Sequence, residues 1–271
     1  MERFGDGNPN IMLIGNSRLF YNGLLGNALK TRELGAFTIY AAPQGVFKLS
    51  IDDGPWMERQ IAALPPYTPH RLSSEADMIT TILIEPETVS NGEMLGLQHL
   101  INETRDAETV VRNIREAKKW LEKSHDNSGF RTGDFDELLL NRTLEKRSLD
   151  GRVARVLCSF RNKEDDLNLS ASSCARSVDL STSRFLHLFT EETGLRFRSY
   201  RMWKRARTFL AYANTDSSLT YLALDLGYPD STHFSHSIRR IYGLKPTSIF
   251  EGSRNMAIFA GDKYAKATAV R

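Results

Sequence analysis

The chain has 271 residues, 41% hydrophobic and 25% charged, with a formal net charge of +3. That length is comfortable for two packed domains, and the composition excludes a chain disordered over most of its length. No run of about 18 apolar residues occurs, so no transmembrane helix is expected, and the polar, acidic start MERFGDGNPN lacks the order of a signal peptide.

The modest net charge conceals a division. Residues 1–149 carry 17 Lys+Arg against 21 Asp+Glu, net −4, whereas residues 150–254 carry 16 against 11, net +5. Residues 255–271 add +2. An acidic half and a basic half point to two domains with different partners. The two cysteines, Cys158 and Cys174, each sit in an apolar helical pattern. They read as small core residues of a reducing cytoplasm, not as a disulfide.

In chain order, residues 10–90 read as short strands and turns. GAFTIYAAPQGVFKLSIDDGPW alternates Phe37/Ile39 and Phe47/Leu49/Ile51 at period two, with turn signals at Pro43-Gln44-Gly45 and Asp53-Gly54. MITTILIEP is a further β-rich run that stops before Pro86. Such a pattern suggests a small barrel or sandwich. In AETVVRNIREAKKWLEKS the apolar positions Val110, Ile114, Ala117 and Leu121 form one stripe on a charged helix. The stripe either packs on its own barrel or pairs with a second copy. HDNSGFRTGDF, 125–135, reads as a loop. LDGRVARVLCSFRN starts a new amphipathic helix, with Asp150 in its first turn and Val153, Val156 and Leu157 as its apolar face.

The basic half contains a repeat. With an offset of 49, Phe185 meets Phe234, His187 meets His236, Phe189 meets Ile238 and Gly194 meets Gly243. Upstream the offset is 48: Ser170 meets Ser218, Ala175 meets Ala223 and Asp179 meets Gly227. The slip falls at Pro229, in a turn, where insertion is cheapest. Each copy has a short helix with a small residue, a turn needing left-handed geometry (Asp179 or Gly227), and an N-cap (Ser181 or Asp230) that opens a second helix. Each is therefore a helix-turn-helix. Phe185, Leu188 and Phe189 point inward in the first, and Phe234, Ile238 and Ile241 in the second. That leaves Thr182, Ser183, Arg184, Leu186 and His187 outside on the first, and Ser231, Thr232, His233, Ser235, His236, Arg239 and Arg240 outside on the second. Small polar residues at the start of an exposed helix suit entry into a DNA major groove.

The copies are joined by LRFRSYRMWKRARTFLAYA, where Phe197, Tyr200, Trp203, Ala206 and Leu210 keep a helical stripe. Arg196, Arg198, Arg201, Lys204, Arg205 and Arg207 carry positive charge with no acid between them. They read as a phosphate-attracting surface on a spacer roughly 28 Å long, close to one DNA turn of roughly 34 Å.

These pieces, SRFLHLFTEETG and LALDLGYPDSTHFSHSIRRIYGLKP above all, resemble the DNA-binding domain of the AraC/XylS family of bacterial transcription regulators. The Gly-aromatic-x-Asp, Phe-Ser and Gly-x-x-Pro elements of the second copy carry most of the likeness, which covers about 100 residues. The resemblance implies an α+β chain: a cupin-like effector-binding β-barrel over 1–95, a helical dimerisation and linker region over 96–148, a double helix-turn-helix domain over 149–254, and a tail over 255–271 that is expected to be disordered. It also implies a cytoplasmic homodimer that binds double-stranded DNA, a small-molecule effector and RNA polymerase, most commonly as an activator. Three positions depart from the family pattern. Asp179 stands where glycine is usual, His236 where arginine is common, and Leu186 is apolar where a base-reading residue is expected.

Other chemistry finds little footing. His233 and His236 lack the further ligands a zinc site needs. Only His70 and His99 precede residue 100, too few for a metal cupin enzyme, and no phosphate loop or nucleophile elbow is present. No catalytic residue, metal or cofactor is expected. An architectural DNA-binding protein remains the other reading, although it has no use for a strand-rich first domain. Arg32, Tyr40 and His70 are the candidate effector contacts, and Arg32 would favour an acidic ligand if it points inward.

Overall fold

The computed structural model describes residues 10–24, 30–74, 78–104, 106–124, 132–162 and 169–260. Its first part contains β1 (Ile11–Ile14), β2 (Arg18–Leu24), β3 (Phe37–Ala41), β4 (Phe47–Ile51), β5 (Met57–Arg59), β6 (Ile61–Leu64), β7 (His70–Ser73) and β8 (Met78–Ile84). A short 3₁₀ turn leads to α1 (Asn91–Glu103), α2 (Ala107–Ser124) and α3 (Thr132–Leu140). The basic half holds α4 (Gly151–Asn162), α5 (Ala171–Arg176), α6 (Thr182–Thr193), α7 (Phe197–Leu210), α8 (Leu219–Asp225), α9 (Ser231–Tyr242) and α10 (Pro246–Ser253). A last strand, β9 (Ala257–Ala260), follows. The chain is α+β, as the sequence suggests.

The strands form a six-stranded sheet in the order β6-β3-β8-β2-β1-β9 and a three-stranded sheet in the order β5-β4-β7. The turns fall where the sequence places them, with Asp52 and Asp53 at φ 49° and 56° after β4. The period-two pattern does not divide core from solvent, because both faces of the larger sheet are covered. Met12, Ile14, Tyr40, Leu64 and Leu83 lie in a core shared with the helices of the basic half. Their alternates Ile11, Leu13, Ile39, Ala63 and Ile84 lie in a second core with α1, α2 and α3. A sheet buried on both faces shows no polar side. The outer edge of β6 is closed by Asn102 of α1, which accepts from the Ala63 amide at 2.8 Å and donates to its carbonyl at 2.9 Å. That pairing occupies the outward amide and carbonyl of Ala63 and blocks this point of the edge to another strand.

Of the two readings of the α2 stripe, packing on its own chain holds for Val110, Ile114 and Ala117, which are buried in the second core. Several expectations need correction. The loop expected over 125–135 ends earlier, since Thr132 begins α3; residues 125–131 lie outside the described residues. Cys158 is exposed on α4, and only Cys174 is buried. The tail is not structureless from 255 onward: β9 runs parallel to β1, with Ile11 opposite Ala257 and Ile14 opposite Ala260.

The two halves share a core and do not hang on a linker. Trp203 of α7 is fully buried against Gly35, where a Cβ would lie 2.4 Å from the indole Cγ. Only a residue without a side chain lets the indole approach this far. Among the described residues no helix is long and apolar enough to cross a membrane.

Candidate nucleic-acid interface and adjoining cavity

Both repeats fold as helix-turn-helix units, α5–α6 and α8–α9, and for the same local reasons. Asp179 and Gly227 take left-handed turns at φ 56° and 79°. The next amides, Leu180 N and Tyr228 N, each donate to the matched carbonyl, Ala175 O and Ala223 O, at 3.0 Å. Ser181 caps α6 by accepting from Arg184 N, and Asp230 caps α9 by accepting from His233 N. Gly194 and Gly243 end the two helices at φ 72° and 70°. Phe185, Leu188, Phe189, Phe234, Ile238 and Ile241 are all buried. The small Ala175 and Ala223 are at most 1% exposed, which lets each helix pair cross closely.

The outward faces are open. Thr182, Ser183, Arg184, Leu186 and His187 are exposed on α6; Ser231, Thr232, His233, His236, Arg239 and Arg240 are exposed on α9, and Ser235 is half-buried. Local bonds sort them further. His233 Nδ1 lies 2.8 Å from Asp230 Oδ2, and His187 Nδ1 lies 3.7 Å from Glu191. Arg240 is bound through Nε and Nη2 to Glu33 of the strand-rich half at 3.1 and 2.9 Å. His236 and Arg239 have no such partner among the described residues, so their donors face solvent.

The spacer departs from expectation in length and in use. As a helix, α7 covers 14 residues, roughly 21 Å, and the chain then tightens into turns. Its apolar stripe is buried as read, from Phe197 to Leu210. Its charges do not form one DNA-facing surface. Lys204 reaches Glu85 at 2.5 Å and Glu87 at 2.8 Å. Arg207 lies 2.8 Å from Glu85, and its Nη2 donates to the carbonyls of Gly15 and Arg18 at 2.6 and 3.0 Å. Trp203 Nε1 donates to both Glu85 oxygens at 3.1 Å. Burial alone would raise the Glu85 pKa, but Lys204 and Arg207 hold it below the ordinary carboxylate value. Burial alone would lower the Lys204 pKa, yet Glu85 and Glu87 carry it above the usual value. Of the six charges only Arg196 and Arg198 are exposed; Arg201, Lys204 and Arg205 are half-buried and Arg207 is buried. This ionic knot was not legible in the sequence, because its acids lie more than a hundred residues upstream.

A cavity of about 390 Å³ lies between the larger sheet and the second helix-turn-helix unit. Met12, Leu19, Leu34, Ile79 and Leu83 line it from the sheet side, and Leu210, Tyr242, Leu244, Ile249 and Met256 from the helical side. Its size and apolar walls are those of a small-molecule site. Arg32 and Tyr40 line it as well. Arg32 is 7% exposed; its Nε and Nη2 are buried without a hydrogen-bond partner, and no carboxylate pairs with it among the described residues. Arg32, Tyr40 and His70 are brought together, since Arg32 and His70 exchange backbone bonds at 3.0 and 3.1 Å. His70 itself is not among the lining residues. Its Nδ1 contacts Thr68 O at 2.7 Å, and its Nε2 lies 2.9 Å from the Tyr40 hydroxyl.

His70 is therefore a fully bonded residue behind the wall. Burial, with a smaller push from Arg32, lowers its pKa from 6.5 to about 4. In the unfolded chain it takes up its proton near pH 6.5, so the unfolded state binds more protons between the two values. The stability it contributes is complete above pH 6.5 and is lost as the pH falls towards 4, by roughly 3 kcal/mol in total. His70→Asn, which keeps a donor for Thr68 O, is expected to flatten this window in urea unfolding followed from about pH 7 to about pH 4.

Comparison with known proteins bears on the helix-turn-helix domain and on the fold. Residues 174–252 match a helix-turn-helix domain family. The arabinose operon regulatory protein of Escherichia coli K12 is 26% identical over 141 residues, 46% of this chain and 48% of that protein. The chain thus spans about half the length of the curated relative it matches. Among solved structures, an apo ToxT variant from Vibrio cholerae strain SCE256 superposes with a TM-score of 0.51 at 12% identity, over 88% of this chain and 98% of that one. A second ToxT structure from Vibrio cholerae gives a TM-score of 0.51 at 12% identity, over 87% and 98%. At such identities the likeness bears on the fold alone. The C-terminal part of the chain thus carries a helix-turn-helix domain, and it is in this respect that the chain is similar to the AraC-type regulators.

Proposed function

We propose that this protein is a transcription regulator that reads double-stranded DNA with α6 and α9 and responds to a small apolar anion bound between the sheet and the second helix-turn-helix unit. The observation that carries the DNA reading is the matched pair of exposed helix faces, each opened by a side-chain cap and each ended by a left-handed glycine. The effector reading rests on Arg32, a buried guanidinium without a carboxylate in a largely apolar cavity whose other polar groups are the hydroxyls of Tyr21, Tyr40, Thr81, Ser248 and Ser253. A desolvated cation in such a place calls for an anion. Base readout falls to Thr182, Ser183, Arg184 and Leu186 on α6, and to Ser231, Thr232, Ser235, His236 and Arg239 on α9. Arg196 and Arg198 supply phosphate attraction. Activation, contact with RNA polymerase, pairing with a second copy and a cytoplasmic site of action belong to the same reading and rest on the family resemblance.

The test has two arms. Genomic footprinting of the tagged protein, then gel shifts on a recovered site at two salt concentrations, should give a discrete site contacted in two major grooves. His236→Ala should weaken that site by about 1–3 kcal/mol, roughly five- to 150-fold, and leave non-specific binding unchanged. Equal loss on every sequence would reduce His236 to a phosphate contact. For the cavity, the fluorescent apolar anion 8-anilinonaphthalene-1-sulfonate should bind in an Arg32-dependent way and be displaced by octanoate but not by octanol. Displacement by both alike would remove the anion from the reading.

A further inference from the structure

Besides the Arg240–Glu33 side-chain pair and the bond from the Glu33 amide to Arg240 O at 3.0 Å, two chain segments connect the second helix-turn-helix unit to the sheet. One tie is the chain that enters the domain ahead of α4. The other is β9, which leaves α10 and returns to the opposite end of the chain to pair with β1. The Ala257 amide donates to Asn10 O at 3.1 Å. Met256, just before the strand, is 6% exposed, donates from its amide to Ser253 O at 2.9 Å and accepts from Asn214 Nδ2 at 3.2 Å. Behind it, α10 is fixed to the domain by Phe250, stacked on Phe209 of α7 at 5.5 Å and 13°. Movement of this unit away from the sheet must therefore pull on β9.

The same segment forms a wall of the cavity. Gly252, Ser253 and Met256 line it, facing Met12 of β1 and Arg32. The parity of β9 matches its place. Ile258 belongs to the core that contains the cavity, while Ala257 and Phe259 pack against the other core. The strand is also the part of the sheet built to yield first. It is four residues long, at the sheet's edge and, among the described residues, paired on one side only and in parallel. Short edge elements with few backbone bonds open at the lowest free energy. Among the described residues no other strand joins the helical half to the sheet.

We propose that β9 is a strap that shuts the cavity and holds the second helix-turn-helix unit on the sheet, so that ligand occupancy and pairing of β9 with β1 are linked. The linkage rests on the effector reading above; the mechanical role of the strap does not. A ligand touching both Arg32 and the Met256 side favours the paired strap, and by reciprocity the paired strap tightens the ligand. When the strap opens, the unit keeps the α7 knot and the Arg240–Glu33 pair but loses the tie nearest the cavity.

Amide exchange and probe binding test this on the full chain and two variants. One variant ends after Met256. The other is Ala257→Pro, which keeps the length and removes the amide that donates to Asn10 O. Peptides covering 10–14 are expected to exchange at least about tenfold faster in both variants than in the natural chain. Saturating 8-anilinonaphthalene-1-sulfonate is expected to slow exchange of 10–14 and 256–260 in the natural chain. Its affinity should fall by about tenfold in the variants through faster dissociation. Unchanged exchange of 10–14 in both variants overturns the strap. Faster exchange with unchanged probe affinity overturns the linkage and leaves only a structural tie. If the natural chain does not bind the probe at all, the effector reading and the linkage fall together, and exchange of 10–14 still decides the mechanical role. Should the shortened chain not fold, Ala257→Pro gives the same comparison.

Discussion

Replacing Glu85 by glutamine is expected to destabilise the protein by roughly 3–5 kcal/mol, the cost of breaking a buried ionic group from one side. Glu85 is 1% exposed and faces Lys204, Arg207 and the Trp203 indole N–H. Glutamine keeps the volume and removes the charge, and its amide turns a donor toward groups that are all donors themselves. Lys204 would retain Glu87. Arg207, 2% exposed, would keep the carbonyl oxygens of Gly15 and Arg18. Its Nε lies 2.8 Å from Glu85 but off the line of a hydrogen bond, so what it loses is Coulombic attraction in a poorly screened place. Urea unfolding gives the size of the effect. Lys204→Met should cost less in the Glu85→Gln background than alone, because the pair shares its energy. A change below about 1 kcal/mol would mean that water reaches the knot and screens it.

The same group sets an acid limit distinct from that of His70. Glu85 has a folded pKa below its unfolded value. Its contribution is complete above the unfolded carboxylate range and is lost as the pH falls through the folded pKa. His70 therefore acts first, from pH 6.5 down to about 4, and Glu85 from its unfolded value of 4.5 downward. His70→Asn should flatten the upper part of the curve and leave the lower part. Glu85→Gln should do the reverse.

What the sequence disclosed and what it hid follow from the range of the forces involved. The turns at Asp179 and Gly227, the caps at Ser181 and Asp230 and the inward phenylalanines are local chemistry. Each is fixed by residues within one helical turn, so the repeat at offsets of 48 and 49 could be read directly. The exposed faces followed, because a buried stripe defines its opposite. The six positive charges of the spacer misled for the converse reason. A basic run without nearby acids reads as solvated, and the acids that neutralise Lys204 and Arg207 belong to the segment after β8. The two-sided burial of the larger sheet was hidden in the same way. Strand alternation gives parity, and parity alone cannot tell solvent from a second core. β9 left almost no mark, since four residues of ordinary composition reveal a strand only once β1 is placed beside them. Arg32 was legible as a candidate, but its missing counter-charge is a property of the assembled cavity.

That missing counter-charge gives a prediction of the opposite sign to the first. Arg32→Met should stabilise the ligand-free protein, by on the order of 1–3 kcal/mol, by removing a buried charged donor whose Nε and Nη2 are unsatisfied. Methionine keeps a flexible chain of similar length among Leu34, Ile79 and Leu83. The natural protein should recover the difference once an apolar anion binds, because a ligand selective for the folded state adds about 2.7 kcal/mol at a hundred times its Kd. The melting curves should therefore cross. Without ligand the variant melts higher; with saturating octanoate the natural chain does, and the variant hardly moves. A variant that melts lower in both conditions would mean that the Tyr40 hydroxyl, which already bonds Arg32, together with water satisfies it in solution, so that it serves the packing of the cavity wall instead of waiting for an anion. The crossing ties the candidate site to a thermodynamic cost in the empty protein, one that a purely structural arginine would not carry.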